Sequence, residues 1–145
     1  MKNVTEPQDT QAQETKEKKI NGNSIFQIKE KIYEMILYGN PKLQGFPKCE
    51  RYAMATDIRK TMYNMYEMSV RLEKKYHKKT TLQDLDIELD VLRNLLRLAK
   101  DPKLYPKQKP CLDLHTWEVW MRKADEIGRM IGGYTAWVNS KEKQK

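Results

Sequence analysis

Between Pro47 and Pro102 the chain has no proline, and between Gly45 and Gly128 it has no glycine. So long a stretch without a breaker favours long helices, because Gly and Pro are the residues that most often end them. The apolar residues inside it keep a helical period. Ala55, Ile58, Met62, Met65, Ser69, Leu72 and Tyr76 advance by alternating threes and fours, the spacing of one helix face packed in a bundle. Leu82, Leu85, Leu89, Leu92, Leu96 and Ala99 repeat the pattern, and Trp117, Trp120, Ala124, Ile127, Ile131, Tyr134 and Val138 repeat it again. Upstream, Ile25, Ile28, Ile32 and Met35/Ile36 make a shorter stripe. Nothing alternates with the period of two that a strand needs. The spacing predicts an all-α, up-down-up-down four-helix bundle.

Local punctuation sets the expected boundaries. Ser24 reads as the N-cap of a first helix that runs to about Tyr38 and is stopped by Gly39, Asn40 and Pro41. A loop through Gly45, Phe46 and Pro47 leads into the second helix, and Thr80 or Thr81 is expected to cap the third. Asp101 and Pro102 end that helix, the loop PKLYPKQKPC follows, and Asp113 caps the fourth. The third helix carries Asp84, Asp86, Glu88 and Asp90 in its first half and Arg93, Arg97 and Lys100 in its second, an order that suits the helix dipole. Residues 1–24 are polar with no periodic face, so a disordered tail is expected there, with the bundle over 25–140 and a fraying basic end at 141–145.

Two helices carry more apolar surface than a monomer needs. Ile87, Val91, Leu95 and Leu98 lie across the third helix from its seam, and Val119, Met130 and Trp137 form a partial second stripe on the fourth. Burial between subunits of a homo-oligomer accounts for such a face; cover by long loops and the first helix is the alternative. Gly128 and Gly132 share a helical face, with Gly133 next to them. Each costs about 0.5–1 kcal/mol inside a helix relative to Ala, so either a close backbone approach or a kink is expected.

Catalytic and metal-binding signatures are absent. His77 and His115 belong to no metal-ligand spacing, Cys49 and Cys111 form no CxxC pair, and there is no GxSxG, Walker-type or GxGxxG motif. Most of the carboxylates sit within three or four residues of a Lys or Arg, as solvated ion pairs do. The expectation is a non-enzyme without metal or cofactor, in a reducing, cytoplasmic setting. No apolar run approaches the roughly 20 residues that cross a bilayer, and the first residues lack the apolar core of a secretion signal.

Charge is more informative. The chain carries 28 Lys+Arg against 20 Asp+Glu, a net charge of +8. Residues 1–24 hold four of each sign, so the whole excess belongs to the bundle. Lys60, Arg71, Lys74 and Lys78 project opposite the seam of the second helix, and Lys75 and Lys79 widen the patch. Arg71 has Glu67 four residues back, whereas Lys74, Lys75, Lys78 and Lys79 have no carboxylate at that spacing. Lys103, Lys107 and Lys109 add positives in an acid-free loop. These nine are the candidate nucleic-acid-binding residues, suited to phosphates rather than bases; the bland reading is a solvated face that complements a helix end. Counting back from Ile58 puts Arg51 on the seam side of the second helix, a packed or partner-facing position. Arg122 has Glu118 and Glu126 at four-residue spacing and Arg129 has Asp125, so both read as structural pairs.

Three segments then converge: FPKCERYAM at 46–54, LRNLLRLAKD at 92–101 and EIGRMIGGYTAWVNSK at 126–141. In that order on four helices, they resemble the accessory variability determinant family of diversity-generating retroelements and its sibling, the four-helix proteins of 23S ribosomal RNA intervening sequences. The resemblance covers about residues 25–141, and the AWVNSK ending is closer to the retroelement proteins. It implies a barrel-shaped, basic homopentamer without catalytic activity. Such a protein associates with the retroelement reverse transcriptase and binds RNA and the RNA–cDNA duplex, supporting mutagenic cDNA synthesis from the template repeat. The family motifs fall on Phe46, Pro47, Lys48 and Arg51; on Arg93, Leu95, Leu96 and Arg97; and on Ile127, Gly128, Arg129, Gly132 and Gly133. Tyr134 stands where the family commonly has Trp. The resemblance assigns Lys48, Arg51, Arg93, Arg97 and Arg129 to partner or subunit contacts, with RNA as the other destination of Arg93 and Arg97. A purely protein-binding scaffold and the ribosomal sibling are the competing functional readings.

Overall fold

The computed structural model describes the backbone of residues 6–143 and the side chains of residues 24–143. Four long helices and one single turn make up the fold: α1 (Glu6–Leu43), α2 (Lys48–Arg51), α3 (Met54–Lys74), α4 (Lys79–Lys100) and α5 (Leu114–Lys143). The described residues contain no strand. α1 packs on α3 and α5, and α4 packs on the same two, so α1 and α4 stand at opposite corners of a four-helix bundle.

The seams are where the spacing puts them. Ala55, Ile58, Met62, Met65, Ser69 and Leu72 of α3 are fully buried, as are Leu82, Leu85, Leu89, Leu92, Leu96 and Ala99 of α4. Ile28, Ile32 and Met35 of α1 and Trp120, Ala124 and Ile127 of α5 face them with no exposure. Full burial of a side chain of this size stabilises by roughly 1.5–3 kcal/mol, so these rows hold the bundle together.

Several boundaries differ from the sequence expectation. Ser24 lies inside α1, whose backbone is helical from Glu6. The polar run preceding it contains no glycine before Gly22 and no proline after Pro7, so nothing local stops the helix. Of the tail expected to be disordered, residues 1–5 and the side chains of 6–23 lie outside the described residues, as do 144 and 145 at the other end; α5 continues through Lys143. At the far end α1 does not stop at Gly39. It carries Pro41 inside its last turn and reaches Leu43. A proline within a helix costs about 3 kcal/mol, and burial of Leu43 and Phe46, both without exposure, offsets it. Gly39 has a packing role instead, because a Cβ there would run into the indole of Trp120. Trp120 is fully buried and meets Tyr38 edge-on at 6.2 Å.

The second helix is interrupted at Tyr52–Ala53, which separates α2 from α3. Glu50 works from the far side of that break. Its Oε2 accepts the Met54 N–H at 3.1 Å, and its Oε1 accepts the Tyr105 hydroxyl at 2.6 Å. One carboxylate thus caps α3 and ties down the α4–α5 loop, and this hydrogen bond, with Cys49 alongside, drives the Tyr105 phenol well above its usual value. Tyr76, predicted as the last seam residue, is 89% exposed, since α3 ends at Lys74. α4 starts at Lys79 with no side-chain cap. Neither Thr80 nor Thr81 serves; Thr81 is buried and accepts from Lys75 Nζ at 2.8 Å. Asp113 does cap α5, accepting the Thr116 N–H at 2.7 Å.

Two tests follow from these contacts. Gly39→Ala should lower the urea midpoint, at about 1–3 kcal/mol for overpacking, whereas Gly132→Ala should raise the stability of the isolated chain by about 0.5–1 kcal/mol, because a Cβ at Gly132 meets nothing within 4 Å. The Thr116 N–H holds the Asp113 carboxyl below its ordinary 3.8. Its contribution is therefore complete above that value and is lost as pH falls toward the lower folded value. Urea titrations at pH 5 and pH 3 should show a smaller acid loss in Asp113→Asn than in the parent.

Candidate nucleic-acid interface

Seven of the nine basic candidates divide between the two ends of the bundle. α4 has 22 residues, so its termini are about 33 Å apart at 1.5 Å per residue. Lys74, Lys75, Lys78 and Lys79 gather at the α3–α4 junction, beside the last turns of α5. Lys103, Lys107 and Lys109 belong to the loop at the opposite end. Lys60 is exposed but lies 14 residues before Lys74 on the same helix, about 21 Å away along its axis. Arg71 is exposed and donates to Glu67 at 2.8 Å, the pair its spacing allows.

At the α3–α4 junction the backbone leaves the helix at Lys75, whose N–H still bonds the Arg71 carbonyl at 2.9 Å. The short crossing through Tyr76, His77 and Lys78 meets α5 along a groove of about 360 Å³, lined also by Tyr134, Trp137 and Lys141. Lys79 is not free of carboxylates, as its i−4 position suggested. It bridges to Glu142 at 3.0 Å, 63 residues away, and so fastens the junction to α5. Lys74 and Lys78 make no ion pair among the described residues. Partial burial pushes the Lys78 ammonium below its usual value. Tyr76 stands edge-on to His77 at 5.0 Å, and Lys141 lies over the Trp137 ring at 5.6 Å.

The other end is also basic. The Tyr105–Glu50 hydrogen bond joins the two loops there and brings Lys48 and Arg51 to the same end as Lys103, Lys107 and Lys109. Arg51 does not face the seam. The break before α3 puts it on α2, where it is exposed and makes a long contact of 3.5 Å to the Phe46 carbonyl.

The family-motif arginines behave differently from one another. Arg93 is half-buried, donates from Nε to Asp125 at 3.1 Å across α4 and α5, and lays its guanidinium against Gly128. The close backbone approach expected at the glycines is not what Gly128 meets: its neighbours are the side chains of Arg93 and Leu89, and Gly132 and Gly133 face open space. Asp125 pairs with Arg93 and Glu126 with Lys31 at 3.4 Å, and among the described residues the ion pairs assigned to Arg129 and Arg122 do not form. Arg129 and Arg97 are exposed.

Of the second apolar faces, the one on α4 is open. Ile87, Val91 and Leu98 are 42–54% exposed, and Leu95 is half-buried among them. The stripe on α5 is largely absorbed, since Met130 and Trp137 pack against the core and Val119 is half-buried. A further face escaped the sequence reading. Phe26, Tyr33 and Leu37 on α1 and Tyr63 and Val70 on α3 are all exposed. Its signal was present in the spacing of seven and four between the α1 residues.

Among the described residues no group of His, Cys, Asp and Glu could hold a metal ion, and no helix is long and apolar enough to cross a membrane. No curated protein matches the sequence. A family model described as bAvd-like matches residues 26–139, from the first turns of α1 with buried side chains to the last turns of α5, and takes in the first two motifs, the third as far as Asn139, and the open α4 face. The chain belongs to the bAvd-like family.

Proposed function

We propose that this protein is the non-enzymatic accessory subunit of a diversity-generating retroelement, a homopentamer that binds the reverse transcriptase and RNA or RNA–cDNA to support mutagenic cDNA synthesis. The family match over residues 26–139 carries this reading. Two features of the molecule support it. Each end of the bundle collects lysines with few carboxylates among them, which suits phosphate backbones. The exposed apolar residues of α1 and α4 stand at opposite corners, the disposition that suits a head-to-tail contact closing into a ring. Arg97 and Arg129, both exposed, are left to subunit or polymerase contacts.

Phosphate contact makes binding steeply salt-dependent and nearly indifferent to sequence. Filter binding should show RNA affinity falling as salt rises, and a Lys74→Glu/Lys75→Glu/Lys78→Glu variant should bind at least tenfold more weakly. Unchanged RNA retention with lost polymerase association would instead identify a protein-binding scaffold. In sedimentation, Val91→Glu and Leu37→Glu should each convert the assembly to a 17.3 kDa particle. An α4-to-α4 contact would leave Leu37→Glu assembled.

A further inference from the structure

The groove at the α3–α4 junction contains more than charge. Four lysines, Lys75, Lys78, Lys79 and Lys141, line it with one carboxylate, Glu142, which is already paired with Lys79 at 3.0 Å. The rings of Tyr76, Tyr134 and Trp137 line it as well, Tyr134 being buried. Tyr76 is 89% exposed on the crossing, its ring set edge-on to His77, and Trp137 is half-buried on the facing helix. Phosphate binding alone gives such rings no role. Nor does core packing explain Tyr76, which contributes almost nothing to the interior. A duplex keeps its bases stacked inside and offers this groove only its backbone, whereas an unpaired strand offers a base and a phosphate together. The volume, about 360 Å³, suits a single nucleotide.

Resting on the nucleic-acid reading above, we propose that this groove binds an unpaired nucleotide of single-stranded RNA or cDNA, its base stacked on Tyr76 beside Trp137 and its phosphate held by Lys75, Lys78 and Lys141. Phosphates elsewhere on the strand engage the remaining basic surface. The junction therefore separates single strands from duplexes, a distinction that charge alone does not make. Burial lowers the proton affinity of Lys78, and a bound phosphate would restore it.

The test is fluorescence anisotropy of the full-length protein with a labelled ten-nucleotide oligo(U), an abasic strand of equal length and a blunt duplex, all at one low salt concentration. Tyr76→Ala, at an exposed position that should leave the fold intact, is expected to weaken oligo(U) binding roughly 5- to 150-fold and to leave duplex affinity within about twofold. Tyr76→Phe should keep the parent affinity, since the ring and not the hydroxyl is used. Trp137→Leu should follow Tyr76→Ala, with circular dichroism confirming its helicity. Equal losses for oligo(U) and duplex, or an abasic strand bound as tightly as oligo(U), would overturn the stacking site while leaving the phosphate reading standing. Absence of binding to every probe would overturn both.

Discussion

Leu82, Leu85, Leu89, Leu92, Leu96 and Ala99 have no exposed surface, and this single row of α4 shows how the bundle is ordered. A side chain of this kind gains about 25 cal/mol for every Å² removed from water, and the row can be buried only if α3 and α5 present their own rows on either side. α1 then completes the square. Once the rows are engaged, the helix ends and their loops are confined to the two poles of the bundle. Most of the loop lysines are thereby excluded from the flanks. The separation of the basic residues into two clusters is a by-product of where the apolar ones must go.

The same packing explains two glycines, one of them in a family motif, that carry no chemistry. Gly39 makes room for the Trp120 ring, and Gly128 does so for the Arg93 guanidinium, which is held in turn by Asp125. Arg93 is thus part of the α4–α5 junction rather than a free cation. Lys29 with Glu73 at 2.6 Å and Lys31 with Glu126 at 3.4 Å join α1 to its two neighbours in a similar way. These pairs are partly exposed and screened by solvent, so they select which helices are adjacent more than they stabilise them.

Period and breakers made the four rows legible in the sequence, because burial on a helix obeys a fixed geometry. Asp113 was legible for the same reason, since a cap acts within one turn. What failed was everything decided at long range. Pro41 is tolerated because Leu43 and Phe46 are buried beyond it. Asp125 pairs with Arg93, 32 positions before it, rather than with Arg129, and Lys79 gained Glu142 from 63 positions away. The candidate site was half legible: its lysines could be read from charge, but Trp137 counted only as an apolar stripe and Tyr76 only as the end of a seam. Their meeting across the groove depends on α3 ending two residues before Tyr76.

The two poles are chemically unlike. One presents Tyr76 and Trp137 among its lysines, and the other presents the Tyr105–Glu50 lock with the lysines of the α4–α5 loop. In a cyclic assembly every protomer points the same way, so the proposed ring would have a top and a bottom that differ in what they hold. A polynucleotide crossing such a ring would meet them in a set order, and an enzyme seated on one side would always receive the strand from the same direction.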